Sequence, residues 1–118
     1  MNTVFRRVSR RDMEVLRAKS SRKLHARHCV VALTPTPGLP TALTCVVSKK
    51  VARHAVDRNK IKRRIREAFR QVDVVPYQYT LIVYPRISVL SVPFAELVED
   101  IQTCLKSQKM GIQSTIHT

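Results

Sequence analysis

The stretch SKKVARHAVDRNKIKRRIREAFR, Ser48 to Arg70, decides how this chain is read. At ~100° per residue, Ile61, Ile65, Ala68 and Phe69 fall within roughly one third of a helical circumference, so Ala55 to Arg70 reads as a helix with one apolar stripe. That stripe needs an apolar surface to lie on. The remaining arc carries Lys60, Lys62, Arg63, Arg64, Arg66 and Arg70, with Asn59 among them. From Lys49 to Arg70 there are ten cations and two acids, Asp57 and Glu67, so pairing along the helix leaves most of the row unneutralised. A solvated face is the usual explanation for Lys and Arg on a helix. Here like charges three and four residues apart repel, and a phosphate backbone laid along the row relieves that repulsion. Asn59, a weak helix former, adds a donor and an acceptor suited to a base edge, a ribose hydroxyl or the helix end.

On either side the pattern changes to strands. Cys29 to Thr34 is β-branched and apolar, Pro35, Pro37, Gly38 and Pro40 interrupt it, and Ala42 to Ser48 resumes it, which predicts a hairpin with a short proline-rich connection. Arg22 to Arg27 offers a short edge strand before it. Tyr79 to Tyr84, set between Pro76 and Pro85, is a further strand. Phe94, Leu97, Val98, Ile101, Cys104 and Leu105 then mark the apolar stripe of a last helix begun by Ser91 and Pro93, with Gly111 as its stop and a frayed tail over 110–118. A first helix is expected from Ser9 to about Ser20. Ser9 and Asp12 suit its start, Met13 and Leu16 face inward, and Arg10, Arg17 and Lys19 face solvent or ligand.

The 118 residues suffice for a single domain over 1–118. The net charge is +14, from 22 Lys and Arg against 8 Asp and Glu, which points to nucleic acid or an anionic membrane. Residues 1–70 carry +15 and residues 71–118 carry −1. Apolar segments run through both halves, so the charge describes a basic face on a folded domain and not a disordered tail. Cys29, Cys45 and Cys104 lack a C-x-x-C spacing and read as reduced, buried thiols. The apolar runs are too short to span a membrane, and an Arg-rich N-terminus without an apolar core is no secretory signal, so a soluble, cytoplasmic protein is expected.

Ala55, Val56, Arg58, Asn59, Ile61, Lys62, Arg63, Ile65, Arg66, Glu67 and Phe69, preceded by Ser48, Lys49 and Lys50, resemble the signature of the bacterial ribonuclease P protein component. Weaker similarity at Val8, Asp12 and Leu16, in the proline-interrupted strands and in the last helix extends it over about residues 5–108. The resemblance implies an α+β fold: a central mixed sheet with three helices, the basic helix lying in a left-handed crossover between parallel strands, against the usual hand. It implies contact with the catalytic RNA at Arg58, Asn59, Lys62, Arg63 and Arg66, supported by Lys49, Lys50 and Arg53. Lys60, Arg64 and Arg70 join that surface from the helical arc alone. It also implies a cleft, between the first helix and a sheet face, for the single-stranded 5′ leader of precursor tRNA. Two positions usually occupied by Phe are Met13 and Arg17 here, so the expected leader contacts are Arg10, Met13 and Arg17 with Val31 and Leu33.

Catalysis is not expected from this chain's own side chains. A self-contained nuclease needs clustered carboxylates for metal, or an acid and a base beside a phosphate site. Glu96, Glu99 and Asp100 read as solvated helix charges, and His25, His28 and Cys29 lack a fourth ligand. By the resemblance, Mg2+ is bound by the RNA subunit, the partners are ribonuclease P RNA and precursor tRNA with no obligate protein partner, and the protein is the accessory subunit of an endoribonuclease. A ribosomal-type structural RNA binder is the alternative that shares the basic face. A DNA regulator would need a major-groove helix and usually a dimer, and a membrane binder a larger aromatic or Leu face.

Overall fold

Tyr79–Pro85 is the strand around which the sheet is organised. The computed structural model describes residues 22–72, 75 and 78–107. Within them the elements are β1 (Arg22–His25), β2 (Cys29–Pro35), β3 (Ala42–Cys45), α1 (Ala55–Arg70), β4 (Tyr79–Pro85), a 3-10 turn (Ile87–Leu90) and α2 (Phe94–Lys106). Thr80, Leu81, Ile82 and Val83 of β4 are all buried, so the strand is covered on both faces and has a neighbour on each side. It pairs antiparallel with β2, from Cys29 opposite Pro85 to Pro35 opposite Tyr79, and parallel with β3, from Ala42 opposite Thr80 to Cys45 opposite Val83. The order is β1-β2-β4-β3.

The hairpin expected between β2 and β3 therefore does not form, because β4 lies between them. The connection shows how the chain bypasses β4. Thr36 N–H donates to Gln78 O at 2.9 Å, and Gln78 N–H donates to Thr41 Oγ1 at 3.1 Å, so the proline-rich segment wraps the residue that enters β4. Gln78 takes a positive φ of 57°, the conformation that makes this sharp entry possible. A parallel β3–β4 pair needs a long crossover, and α1 supplies it.

Both described helices pack on one sheet face. Ile61, Ile65, Ala68 and Phe69 of α1 and Leu97, Ile101 and Leu105 of α2 form one buried cluster with Val31, Leu33, Leu43, Cys45, Leu81 and Val83. The expected stripes of both helices are the buried ones. On the opposite face Ala32 and Ile82 are buried with Val46 packed against them, and Tyr84 is 38% exposed. The helix expected over Ser9 to Ser20, the stop at Gly111 and the tail over 110–118 lie outside the described residues. The 3-10 turn was not legible in ISVL, which carries no turn residue beyond Ser88.

Cys29, Cys45 and Cys104 are free and buried. Burial pushes the Cys45 thiol up to about 12 and the Cys104 thiol up to about 11 and raises Cys29 as well, so these groups act as small neutral core side chains. The acidic cluster of α2 has a structural use. Asp100 accepts the Arg27 and His28 backbone N–H groups, each at 3.0 Å, which fixes the β1–β2 turn to α2. His28 Nδ1 lies 2.7 Å from Ser88 Oγ, and its Nε2 lies 3.4 Å from Glu96 Oε2. One imidazole thereby joins the turn, the 3-10 segment and α2. Among the described residues no three His, Cys, Asp or Glu side chains converge as a metal site, and no helix is long and apolar enough to cross a membrane.

Candidate RNA interface

Because α1 is anchored by its stripe, the direction of each of its cations is fixed. Asn59, Lys62, Arg63, Arg66, Glu67 and Arg70 line a surface concavity of about 400 Å³ on the side away from the core. Asn59, Arg63, Arg66 and Arg70 are exposed and Lys62 is half-buried. Glu67 is partnered within this group: Arg70 Nη1 donates to its Oε1 at 2.6 Å across two half-exposed side chains. Such a solvated pair is weak. Among the described residues Lys62, Arg63 and Arg66 form no ion pair, which leaves three cations and an amide directed outward along about two helical turns. Lys62 and Arg66 also lie close enough to β3 to pull the Cys45 thiol downward, against the larger effect of burial. The row thus borders the edge strand of the sheet.

Lys60 is exposed on the flank of this surface, and Lys49, Lys50 and Arg53 are exposed in the turn that leads into α1. Two other expected contacts are turned elsewhere. Arg64 donates to Val92 O and, at 3.4 Å, to Leu90 O, so its guanidinium faces the junction between the 3-10 turn and α2 and not the concavity. On the helical projection it lies beside the apolar stripe, where unpartnered carbonyls at a turn attract a planar cation. Arg58 reaches back instead, its Nη1 donating to Ala52 O at 3.0 Å and to Arg53 O at 2.7 Å.

The expected leader cleft needs a correction in its strand residues. Val31 is 0% and Leu33 is 2% exposed, both against α1 and α2 in the core, so neither lines a surface. The physical reason is parity: β2 reads CVVALTP, apolar at nearly every position, and without alternation the sequence does not say which set faces outward. Arg10, Met13 and Arg17 lie outside the described residues. The sheet face that turns away from α1 and α2 carries His25, Val30 and Tyr84 in one cross-strand row, with Lys23 two residues along β1. His25, Lys23 and Tyr84 are exposed. The sequence marks Tyr84 only as the end of a strand; its register opposite Val30 is what places it on the outer face.

The family model described as Ribonuclease P matches residues 5–109. The chain belongs to the ribonuclease P protein family. It is 29% identical over 103 residues to the ribonuclease P protein component of Acinetobacter baylyi, covering 80% of this chain and 79% of that protein. To the ribonuclease P protein component of Citrifermentans bemidjiense the match is denser and shorter, 51% over 49 residues, spanning 42% of this chain and 41% of that one. The RNase P protein from Thermotoga maritima superposes with a TM-score of 0.74 at 28% identity, covering 88% of this chain and 98% of that chain. Membership gives the family's α+β architecture with a mixed four-stranded sheet.

Proposed function

We propose that this chain is the protein subunit of ribonuclease P, binding the catalytic RNA through α1 and the turn before it, and the 5′ leader of precursor tRNA on the outer sheet face. The observation that carries this reading is the row Lys62, Arg63 and Arg66 with Asn59, directed outward from a helix whose apolar stripe is locked into the core. A rigid cationic rod of this kind suits a phosphate backbone, and a solvated face would not need to be so poor in acids. In this reading the crossover carrying α1 is left-handed, and Arg10, Met13 and Arg17 join the leader site. The protein acts in the cytoplasm.

Cleavage belongs to the RNA. In this reading the Mg2+ ions of the reaction are bound by the RNA subunit, and the protein's cationic row faces the RNA rather than a metal. The protein's own contribution is electrostatic: its cations offset the repulsion between two polyanions, enzyme RNA and precursor tRNA, and so lower the magnesium concentration that the complex needs. The test is cleavage of a precursor tRNA by the matching ribonuclease P RNA at low magnesium, with and without the protein, beside the protein alone. Cleavage appears only with both together. Tight RNA binding without rescue would instead favour a ribosomal-type structural RNA binder, and cleavage by the protein alone would overturn the assignment of chemistry to the RNA.

Tyr84 supplies an aromatic face for leader bases in a chain with three Phe and three Tyr. Stacking of a base on such a ring is worth ~1–3 kcal/mol. Tyr84→Ala is therefore expected to weaken binding of precursor tRNA with a leader by roughly 5- to 150-fold while leaving affinity for mature tRNA within about twofold. Equal losses for both substrates would remove Tyr84 from the leader site.

A further inference from the structure

The turn between β3 and α1 has few internal constraints. Val51 N–H and Ala52 N–H both donate to Ser48 O, at 3.1 and 3.2 Å, closing one tight turn over Lys49 and Lys50. Ala52, 4% exposed, anchors it in the core. Beyond that the chain enters α1 without a side-chain cap: His54 holds the N-cap position but its side chain makes no capping bond. Ser, Thr, Asp and Asn are preferred at that position because their side chains accept a bond from an orphan N–H of the first turn.

Arg58 makes up for the missing cap. Both hydrogens of its Nη1 are used, one on Ala52 O at 3.0 Å and one on Arg53 O at 2.7 Å. The same residue's backbone N–H donates to His54 O at 3.1 Å as the first bond of the helix. Arg58 thus ties its own helical turn to the two residues before the N-cap His54. The guanidinium is half-buried there, and its planar fork suits two carbonyls on successive residues in a way a single ammonium does not.

Resting on the RNA-binding reading given above, we infer that Arg58 is a positioning residue: by clamping Ala52 O and Arg53 O it holds Lys49, Lys50 and Arg53 beside the α1 row, and its share of RNA affinity comes through them. The consequence is a continuous cationic strip, from the turn to Arg70, whose first third depends on one side chain that faces backward. Lys49, Lys50 and Arg53 are exposed, and the Ser48 turn that carries them joins α1 through the carbonyls that Arg58 holds.

The two roles for Arg58 differ in what the salt dependence of binding reads. A side chain that neutralises one phosphate changes the slope of log affinity against log salt by at most ~0.9. A clamp that orders three cations changes it by more. The experiment measures binding of full-length protein to ribonuclease P RNA across salt for Arg58→Lys, Arg58→Ala, the triple variant Lys49→Ala/Lys50→Ala/Arg53→Ala, and the triple variant combined with Arg58→Ala, with Arg63→Ala as the reference for direct contact. Arg58→Lys, which keeps the charge, is expected to lose roughly tenfold in affinity at moderate salt and to flatten the slope by about 1.5 to 2.5. In the triple background Arg58→Ala costs less than about twofold further, whereas Arg63→Ala keeps its full cost there. A general loss of folding would weaken binding equally in every background, and the melting temperature of each variant identifies it. If Arg58→Lys binds like the parent, or Arg58→Ala and the triple variant add, Arg58 is a direct phosphate contact and the inference fails. Failure of the underlying reading looks different: the parent protein itself would show no saturable, salt-sensitive binding.

Discussion

Replacing Lys62, Arg63 and Arg66 together by Ala is expected to lower affinity for ribonuclease P RNA by about 100- to 1,000-fold at physiological salt, with the fold intact. A solvated contact with a phosphate contributes on the order of 1–1.4 kcal/mol net, less than a buried charged hydrogen bond, so three contacts acting independently give about that range. The salt dependence gives a second, sharper number. Neutralising three phosphates fewer flattens the slope of log affinity against log salt by about 2 to 2.7, the lower value applying to single strands and the higher to duplex. Folding should be unaffected or slightly improved, because Arg63 and Arg66 are exposed, Lys62 is half-buried, none of the three is an ion-pair partner of Glu67, and Ala is the stronger helix former. Fluorescence anisotropy across a salt series, paired with a thermal melt of each variant, checks both parts. A loss below about threefold with an unchanged slope would show that the RNA lies elsewhere on this +14 surface.

That separation of binding from stability was visible in the residues for a simple reason. The period of Ile61, Ile65, Ala68 and Phe69 defines the buried side of α1, and everything about Lys62, Arg63 and Arg66 follows from being on the other side. The same logic holds for α2, where Leu97, Ile101, Cys104 and Leu105 keep helical spacing. It stops working where the partner is distant in sequence. Arg64 and Lys60 are both off the apolar stripe, yet only Arg64 meets carbonyls at Leu90 and Val92, supplied by a 3-10 turn that has no mark of its own in the sequence. Arg58 shows a second, local limit: its partners Ala52 and Arg53 lie just before the helix, yet helical spacing does not say that its guanidinium turns back onto their carbonyls.

Strands are harder for a different reason. A run such as CVVALTP or YTLIVYP is apolar at nearly every position because each strand is covered on both faces. Alternation, the one local signal that distinguishes inside from outside, is then lost. The strand order is lost with it, since β2 beside β3 and β2 beside β4 satisfy the same apolar pattern. What distinguishes them is a non-local pair of hydrogen bonds around Gln78, which commits the proline-rich connection to passing over the end of β4. Tyr84 became a candidate only through this register, opposite Val30 and away from the helices.

The anchor behind the RNA surface should also be its weakest mechanical point. Phe69 is fully buried near the end of α1, within the cluster that joins both helices to Leu81 and Val83. Removing a buried Phe side chain costs about 3–5 kcal/mol, from the lost apolar transfer and from the cavity left behind. Domains of this size have a total stability of roughly 5–15 kcal/mol, and self-repulsion at +14 places this one away from the upper end. Phe69→Ala is therefore expected to lower the melting temperature by on the order of 10–20 °C and to leave a measurable unfolded fraction at 37 °C. RNA should reverse much of this, because a ligand that binds only the folded state at 100 times its dissociation constant adds ~2.7 kcal/mol. The row itself is untouched by the substitution, so the folded fraction should bind RNA with the parent's salt slope. A melting temperature within a few degrees of the parent would mean that the Phe69 site collapses without cost and that α1 is held to the sheet chiefly by Ile61, Ile65 and Ala68. Rescue by RNA without a lowered melting temperature in its absence would be inconsistent with the substitution acting through folding at all.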